Sequence, residues 1–94
     1  MKQVQKEITV KNKMGLHARP AAVFVQVANK FISEIKIIKD DQEVNGKSIM
    51  GILMLAAERG AKLTIIAKGD DAEEAMARLC ELLDRDSDID VVKS

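Results

Sequence analysis

The sequence predicts an α+β domain in which helices cover one face of a single sheet. Segments with apolar residues at alternate positions are interleaved with segments of helical periodicity, in the order β-α-β-β-α-β-α. The chain has 94 residues, 47% of them hydrophobic, which is enough for one core but not for two. No repeat, linker or low-complexity stretch interrupts this order. We therefore predict one domain over residues 1–94.

The first two elements are a strand and a helix, joined by a loop that ends at Gly15. Residues 4–11 alternate apolar and polar side chains, as in a half-buried strand. The segment after Pro20 fits two patterns, because its three valines alternate as in a strand while its two phenylalanines and Ala28 share one helical face. Proline is tolerated in the first turn of a helix, so we predict a helix over residues 18–31.

Two strands and a short helix follow. Residues 33–40 alternate as a second strand, and turn-forming residues precede a short third strand around Val44. Eight of the nine residues 49–57 are apolar. Ser48 before this segment, and Arg59 with Gly60 after it, are start and stop signals of a helix.

The last two elements are a strand and the most regular helix of the chain. Residues 62–69 place Leu63, Ile65 and Ala67 on one face. The helix begins in DDAEEA, where the helix dipole favours acidic side chains. Its apolar stripe comprises Ala72, Ala75, Met76, Leu79, Leu82 and Leu83. We expect the acidic tail, residues 86–94, to be mobile.

Composition excludes several classes of function. Fifteen basic and fifteen acidic side chains cancel, so no overall field points to a nucleic acid or an anionic membrane. With only Cys80 and His17, the chain can form neither an internal disulfide nor a four-ligand zinc site, and we expect no metal or cofactor. Cys80 flanks the last apolar stripe, as a partly buried structural thiol would. No signal-peptide core and no apolar run of about 20 residues is present, which predicts a cytoplasmic protein.

The stretch GLHARPA, residues 15–21, contains the only histidine and the only proline of the chain. If a helix begins at Ala18, its first amides and the guanidinium of Arg19 would surround an anion attached to the ring of His17. A neutral imidazole is a good nucleophile near pH 7, and phosphoryl transfer needs mainly positioning and charge stabilisation. Alternatively, the histidine is a cap or surface residue, Arg19 a solvated charge and Pro20 a helix start. The pattern predicts an anion site and leaves the phosphoryl donor open.

GLHARPA resembles the active-site signature of the HPr family, the histidine-containing phosphocarriers of the bacterial phosphoenolpyruvate-dependent sugar phosphotransferase system. NGKSIMG, residues 45–51, is similar to the second signature of that family, and the element order matches over residues 4–85. The resemblance implies an HPr-like open-faced β-sandwich, with a four-stranded antiparallel sheet covered on one face by three helices. We expect the chain to be a monomer.

The resemblance assigns roles around His17. This residue would take a phosphoryl group on Nδ1 from phosphorylated enzyme I and pass it to the IIA domain of a sugar permease. The neighbouring residues would support the group through charge, backbone amides or loop shape: Gly15, Leu16, Ala18, Arg19 and Pro20. The protein would then be a transiently phosphorylated carrier and not an enzyme.

Ser48 has two interpretations. As the N-cap of the second helix, its hydroxyl would accept a hydrogen bond from the N–H of Met50 or Gly51. By resemblance, it would also be the serine that the ATP-dependent HPr kinase/phosphorylase modifies, since residues 48–51 are similar to the version of the signature with that site. A helix N-terminus tolerates the added negative charge, so the modification would act on partner recognition.

The second helix is too apolar to bury every side beneath one sheet. We expect its core side to comprise Ile52, Leu55 and Ala56. We expect its outward side, beside the His17 loop, to comprise Ile49, Met50 and Leu53. By resemblance, enzyme I and IIA domains dock on this outward side, with rim contacts from Lys11, Lys13 and Lys47. Alternatively, the tail of the chain or a second subunit covers it.

Two rival functions stay open at this point. The nearer one is a regulatory or nitrogen-branch HPr-like protein that is not coupled to sugar uptake. The more distant one is an enzyme with His17 as general base, for which the sequence offers no carboxylate partner at a recognisable spacing.

Overall fold

A computed structural model describes residues 2–11 and 15–84 of the chain. The elements are β1 (Gln3–Thr9), α1 (Ala18–Ala28), β2 (Glu34–Lys39), β3 (Gln42–Asn45), α2 (Ile49–Met54), β4 (Lys62–Lys68) and α3 (Ala72–Asp84). This order confirms the predicted α+β class, and the predicted bounds of the longer strands agree to within two residues. The expected mobile tail, residues 86–94, lies outside the described residues, as does Lys13.

The four strands form one sheet in the order β1-β4-β2-β3, and every neighbouring pair is antiparallel. On the inner strand β4, Leu63, Ile65 and Ala67 are completely buried, and the residues between them are not. The opposite face is solvated, and there the ammonium of Lys36 lies 3.5 Å from a carboxylate oxygen of Glu43. The predicted open-faced sandwich is therefore confirmed.

The helices supply the other half of the core. The buried face of α1 comprises Pro20, Ala21, Phe24, Val25 and Ala28. The predicted stripe of α3 is buried except at Leu82, which is half-buried. Cys80 is also half-buried and packs against the core, as its position predicted.

Helix α1 ends at Ala28, three residues before its predicted end at Phe31. The N–H of Phe31 donates to the carbonyl of Ala28 at 3.2 Å, an i→i−3 bond that closes the helix with a tighter turn. The next two amides, of Ile32 and Ser33, donate to the carboxylate of Asp71 at 2.9 and 3.0 Å. Because Asp71 lies 38 residues beyond Ser33, a tertiary contact directs the chain into β2, and the local sequence pattern does not contain it.

Helix α2 ends at Met54, so the predicted stop at Arg59 and Gly60 is wrong. Ala56 has a φ of 49°, in the left-handed region that commonly follows the last residues of a helix. Its side chain is exposed, contrary to the prediction that it faces the core. Ala57 is buried instead.

Candidate functional site

His17 is the N-cap residue of α1, as its position before Pro20 predicted. Its backbone is extended, with φ −99° and ψ −168°, and its carbonyl accepts the N–H of Ala21 at 3.0 Å, an i→i−4 bond at the start of the helix. The side chain is half-buried and makes no capping hydrogen bond to the helix. The imidazole therefore lies at the helix start without serving as its cap.

The loop before His17 is fixed by the segment that follows α2. The N–H of Leu16 donates to the carbonyl of Ala57 at 2.8 Å, and the Leu16 side chain is buried. Gly15 has a φ of 75°, and a Cβ at this position would lie 2.5 Å from the same carbonyl oxygen. Glycine is thus required both for its backbone conformation and for the close approach. The two residues hold the backbone of His17 against a fixed part of the molecule.

The first turn of α1 favours an anion. Ala18 and Arg19 are the first two helical residues and both are exposed, whereas Pro20 is fully buried beneath them. The first turn contains no acidic residue. The amides at the start of a helix and the positive end of its dipole both attract negative charge, and the guanidinium of Arg19 adds a full positive charge. The helix start would stabilise an anion on the ring of His17, and Arg19 adds its positive charge two positions later in the same turn.

The outward side of α2 forms an apolar patch, which we call the α2 patch: Ile49, Met50 and Met54. Their side chains are 40%, 68% and 65% exposed. Leu53, predicted to belong to this side, is half-buried and packs against the core. Met54 was missed, although its position four residues after Met50 places both on one helical face. Ile52 and Leu55 face the core as predicted.

Ser48 is the N-cap of α2, with an extended backbone, and its hydroxyl accepts the N–H of Gly51 at 3.0 Å. This is one of the two capping bonds that the sequence predicted. The hydroxyl is half-buried at the edge of the α2 patch. The serine therefore has a structural role in the unmodified protein.

The lysines expected at the rim differ in their surroundings. Lys11 is exposed, two residues beyond the end of β1. Lys47 is half-buried, and its ammonium donates to the carbonyl of Phe31 at 2.7 Å. Its own N–H donates to the side-chain oxygen of Asn45 at 2.8 Å, which stabilises the turn before α2.

Within residues 2–11 and 15–84, no group of three or more histidine, cysteine, aspartate or glutamate side chains is arranged to hold a metal ion. No helix among the same residues has the length and hydrophobicity needed to span a bilayer.

Comparison with known proteins gives a consistent result. The family model described as "PTS HPr component phosphorylation site" matches residues 4–85. The HPr-like protein Crh of Halalkalibacterium halodurans is 51% identical over 83 residues, which cover 88% of this chain and 99% of that protein. The crystal structure of the phosphocarrier protein HPr from Bacillus anthracis superposes with a TM-score of 0.81 at 53% identity, over 84% of this chain and 94% of that one. Crh of Bacillus subtilis, described as a catabolite repression protein and a domain-swapped dimer, gives a TM-score of 0.71 at 43% identity, over 96% of this chain and 99% of that one.

Proposed function

This chain belongs to the HPr family of phosphocarrier proteins, and from that premise we propose that His17 accepts a phosphoryl group from phosphorylated enzyme I and passes it to the IIA domain of a sugar permease. Proteins of this family carry the group and are not enzymes. We further propose that the carrier works in the cytoplasm, as a single domain over residues 1–94.

One observation carries this proposal. His17 starts a helix that has no acidic residue in its first turn, and Arg19 follows two positions later, yet the imidazole is not used to cap that helix. A histidine selected for helix stability would be expected to make the capping bond. The arrangement instead keeps a nucleophile beside two sources of positive potential.

The transfer step follows from this geometry. A lone pair of the imidazole, on Nδ1 by similarity to the family, attacks phosphorus as the bond from phosphorus to the donor group on enzyme I breaks, and that electron pair stays with enzyme I. Arg19 and the helix start balance the charge on the phosphoryl oxygens. Gly15, Leu16, Ala18 and Pro20 hold the backbone from which the ring projects. Transfer to a IIA domain is the same displacement with the carrier as donor.

The α2 patch is our proposed docking surface for enzyme I and the IIA domains. Exposed methionines adapt to partners of different shape, and apolar side chains at this exposure are typical of interaction sites. Leu53, on the same helix, is half-buried and packs against the core. Among the described residues, the exposed Lys11 is our candidate for a rim contact with acidic partner surfaces.

Ser48 is our proposed regulatory site, phosphorylated from ATP by an HPr kinase/phosphorylase. The Ser48 oxygen attacks the γ-phosphorus, the bond to ADP breaks, and the hydroxyl proton goes to a base of the kinase. The phosphate would add about −1.5 to −2 charges beside the α2 patch. An acidic partner surface would then be repelled, and the carrier step would slow.

A labelling experiment tests the carrier proposal. The chain is incubated with enzyme I and labelled phosphoenolpyruvate, and we expect one phosphoryl group per chain, stable in alkali and lost in acid. His17→Ala should remain unlabelled while retaining its circular dichroism spectrum, and Ser48→Ala should be labelled as the wild type is. Equal labelling of His17→Ala would refute the assignment.

A second candidate function is supported by the similarity to Crh, which is described as a catabolite repression protein. In that case His17 would not pass a phosphoryl group to any sugar-specific IIA domain, and the output would run through Ser48. Incubation with ATP and the kinase, followed by a IIA transfer assay, separates the two. Labelling of Ser48 without IIA transfer favours the regulatory function.

We propose a monomer for the unmodified chain. The sheet and three helices close one core within the described part of a single chain. Light scattering at several protein concentrations tests this, because a swapped dimer like that described for Crh would have twice the mass.

A further inference from the structure

The side chain of Lys47, which was expected at the rim of the docking surface, makes a hydrogen bond within the protein. It lies in the turn between β3 and α2, directly before Ser48, and its ammonium donates to the carbonyl of Phe31, beyond the end of α1, at 2.7 Å. The lysine is half-buried. A short hydrogen bond from a charged donor in a partly buried place is stronger than one between neutral groups.

The same peptide is held from its other side. The carbonyl of Phe31 accepts from Lys47, and the N–H of Ile32, in the same peptide group, donates to the carboxylate of Asp71 at 2.9 Å. An ammonium and a carboxylate thus act on opposite ends of one peptide dipole. The ammonium draws electron density towards the carbonyl oxygen, and the carboxylate attracts the amide hydrogen. Both increase the dipole of this peptide, so each hydrogen bond strengthens the other.

Helix α2 is tied at both ends to segments that flank α1. At its start, the Lys47 ammonium binds the turn after α1. Beyond its end, the carbonyl of Ala57 binds the N–H of Leu16, in the loop that leads to His17. These two ties fix the α2 patch relative to the imidazole. A partner that contacts the patch and the ring together needs that relation to be constant.

We propose that Lys47 is a positioning residue for docking: it acts through the Phe31 carbonyl to hold α2, and it does not act as a rim contact for an acidic partner. The inference rests on the proposed use of the α2 patch. It replaces the role that the sequence predicted for this lysine with an internal one.

The test compares Lys47→Met, which keeps the apolar stem, with Lys47→Arg and with the control Lys30→Met, an exposed lysine near the same end of α1. The rate of His17 phosphorylation by enzyme I is measured against the concentration of each variant, at low and high salt. We expect Lys47→Met to raise KM about fivefold with kcat unchanged. The increase should be equal at both salt concentrations, because a partly buried contact is screened little. Lys47→Arg should restore KM, and Lys30→Met should match the wild type at high salt.

A direct structural readout accompanies the kinetics. The amide signal of Ile32 in a nitrogen–proton correlation spectrum should move in Lys47→Met, because that peptide loses its bound ammonium, and should stay in place in Lys30→Met. An increase in KM that disappears at high salt would overturn the proposal in favour of a rim contact. An unmoved Ile32 signal would also overturn it. If the wild type is not labelled on His17, the proposed function fails. The Ile32 signal still decides whether Lys47 binds the Phe31 carbonyl.

Discussion

Helices α1 and α2 begin in the same way and use their first side chain differently. Both N-cap residues, His17 and Ser48, have an extended backbone. The hydroxyl of Ser48 accepts the N–H of Gly51, whereas the imidazole of His17 makes no capping bond. The Ser48 side chain stabilises its helix start, and in our proposal the His17 side chain receives the phosphoryl group instead. A substitution of His17 should therefore abolish phosphorylation while changing the free energy of unfolding little.

The largest effect on stability is expected from Gly15→Ala, which strains the loop before α1 and leaves residue 17 a histidine. Alanine would have to adopt a left-handed φ, and its Cβ would lie 2.5 Å from the backbone oxygen of Ala57. We therefore expect a loss of about 2 to 3 kcal/mol in the free energy of unfolding. Urea denaturation measures it. Gly60→Ala is the control, because Gly60 also has a positive φ, of 91°, but faces open space. Equal losses in the two variants would mean that the contact with Ala57 is not tight.

The comparison itself is tested by the pair Ser48→Ala and His17→Ala. Loss of the Ser48 cap should cost about 1 kcal/mol of unfolding free energy and leave His17 labelling near the wild-type rate. His17→Ala should lower the unfolding free energy less than Ser48→Ala does, because it removes no capping bond, and should abolish labelling. Denaturation and labelling of both proteins check this. A loss of stability at His17 as large as that at Ser48 would show that the imidazole does support the helix.

The sequence predicted these helix starts better than it predicted the helix ends. Pro20 and Ser48 are local signals, since each acts on the turn in which it lies. The ends depend on distant partners, which no local pattern contains. The carboxylate of Asp71 accepts hydrogen bonds from the amides that follow α1. The carbonyl of Ala57, after α2, accepts a hydrogen bond from the N–H of Leu16 in the loop before α1. Met54 was missed for a different reason, since its spacing from Met50 is a local signal that the prediction of the outward side did not use.

The end of α2 gives a smaller effect, in the opposite direction. Ala56 has a φ of 49°, where glycine avoids a steric cost of about 1 to 2 kcal/mol per residue. Glycine also loses more backbone entropy on folding, about 0.5 to 1 kcal/mol. Ala56→Gly should therefore stabilise the protein by about 0.5 kcal/mol. Thermal denaturation measures this, and Ala57→Gly is the control that should destabilise, because Ala57 is buried and its φ is not positive.

The residue before α3 has a third role, and we expect its substitution to have the smallest effect on the free energy of unfolding. The carboxylate of Asp71, directly before α3, accepts from the hydroxyl of Ser33 and from the amides of Ile32 and Ser33. The Ser33 hydroxyl is the main cause that lowers the pKa of Asp71 below its usual value, and the two amides add to it.

Because the folded protein holds the Asp71 carboxylate in its charged form, the unfolded chain binds the proton more readily. The stabilisation is therefore complete near neutral pH and is lost as the pH falls below about 4, through the lowered pKa of the folded state. Unfolding free energies measured from neutral pH into acid should fall less steeply for Asp71→Asn than for the wild type. Ser33→Ala should be intermediate, because it removes the main cause and leaves the two amides. Parallel curves for all three proteins would contradict the role of Ser33 and the two amides in lowering the pKa of Asp71. They would also contradict the view that the residue before each helix has a different function.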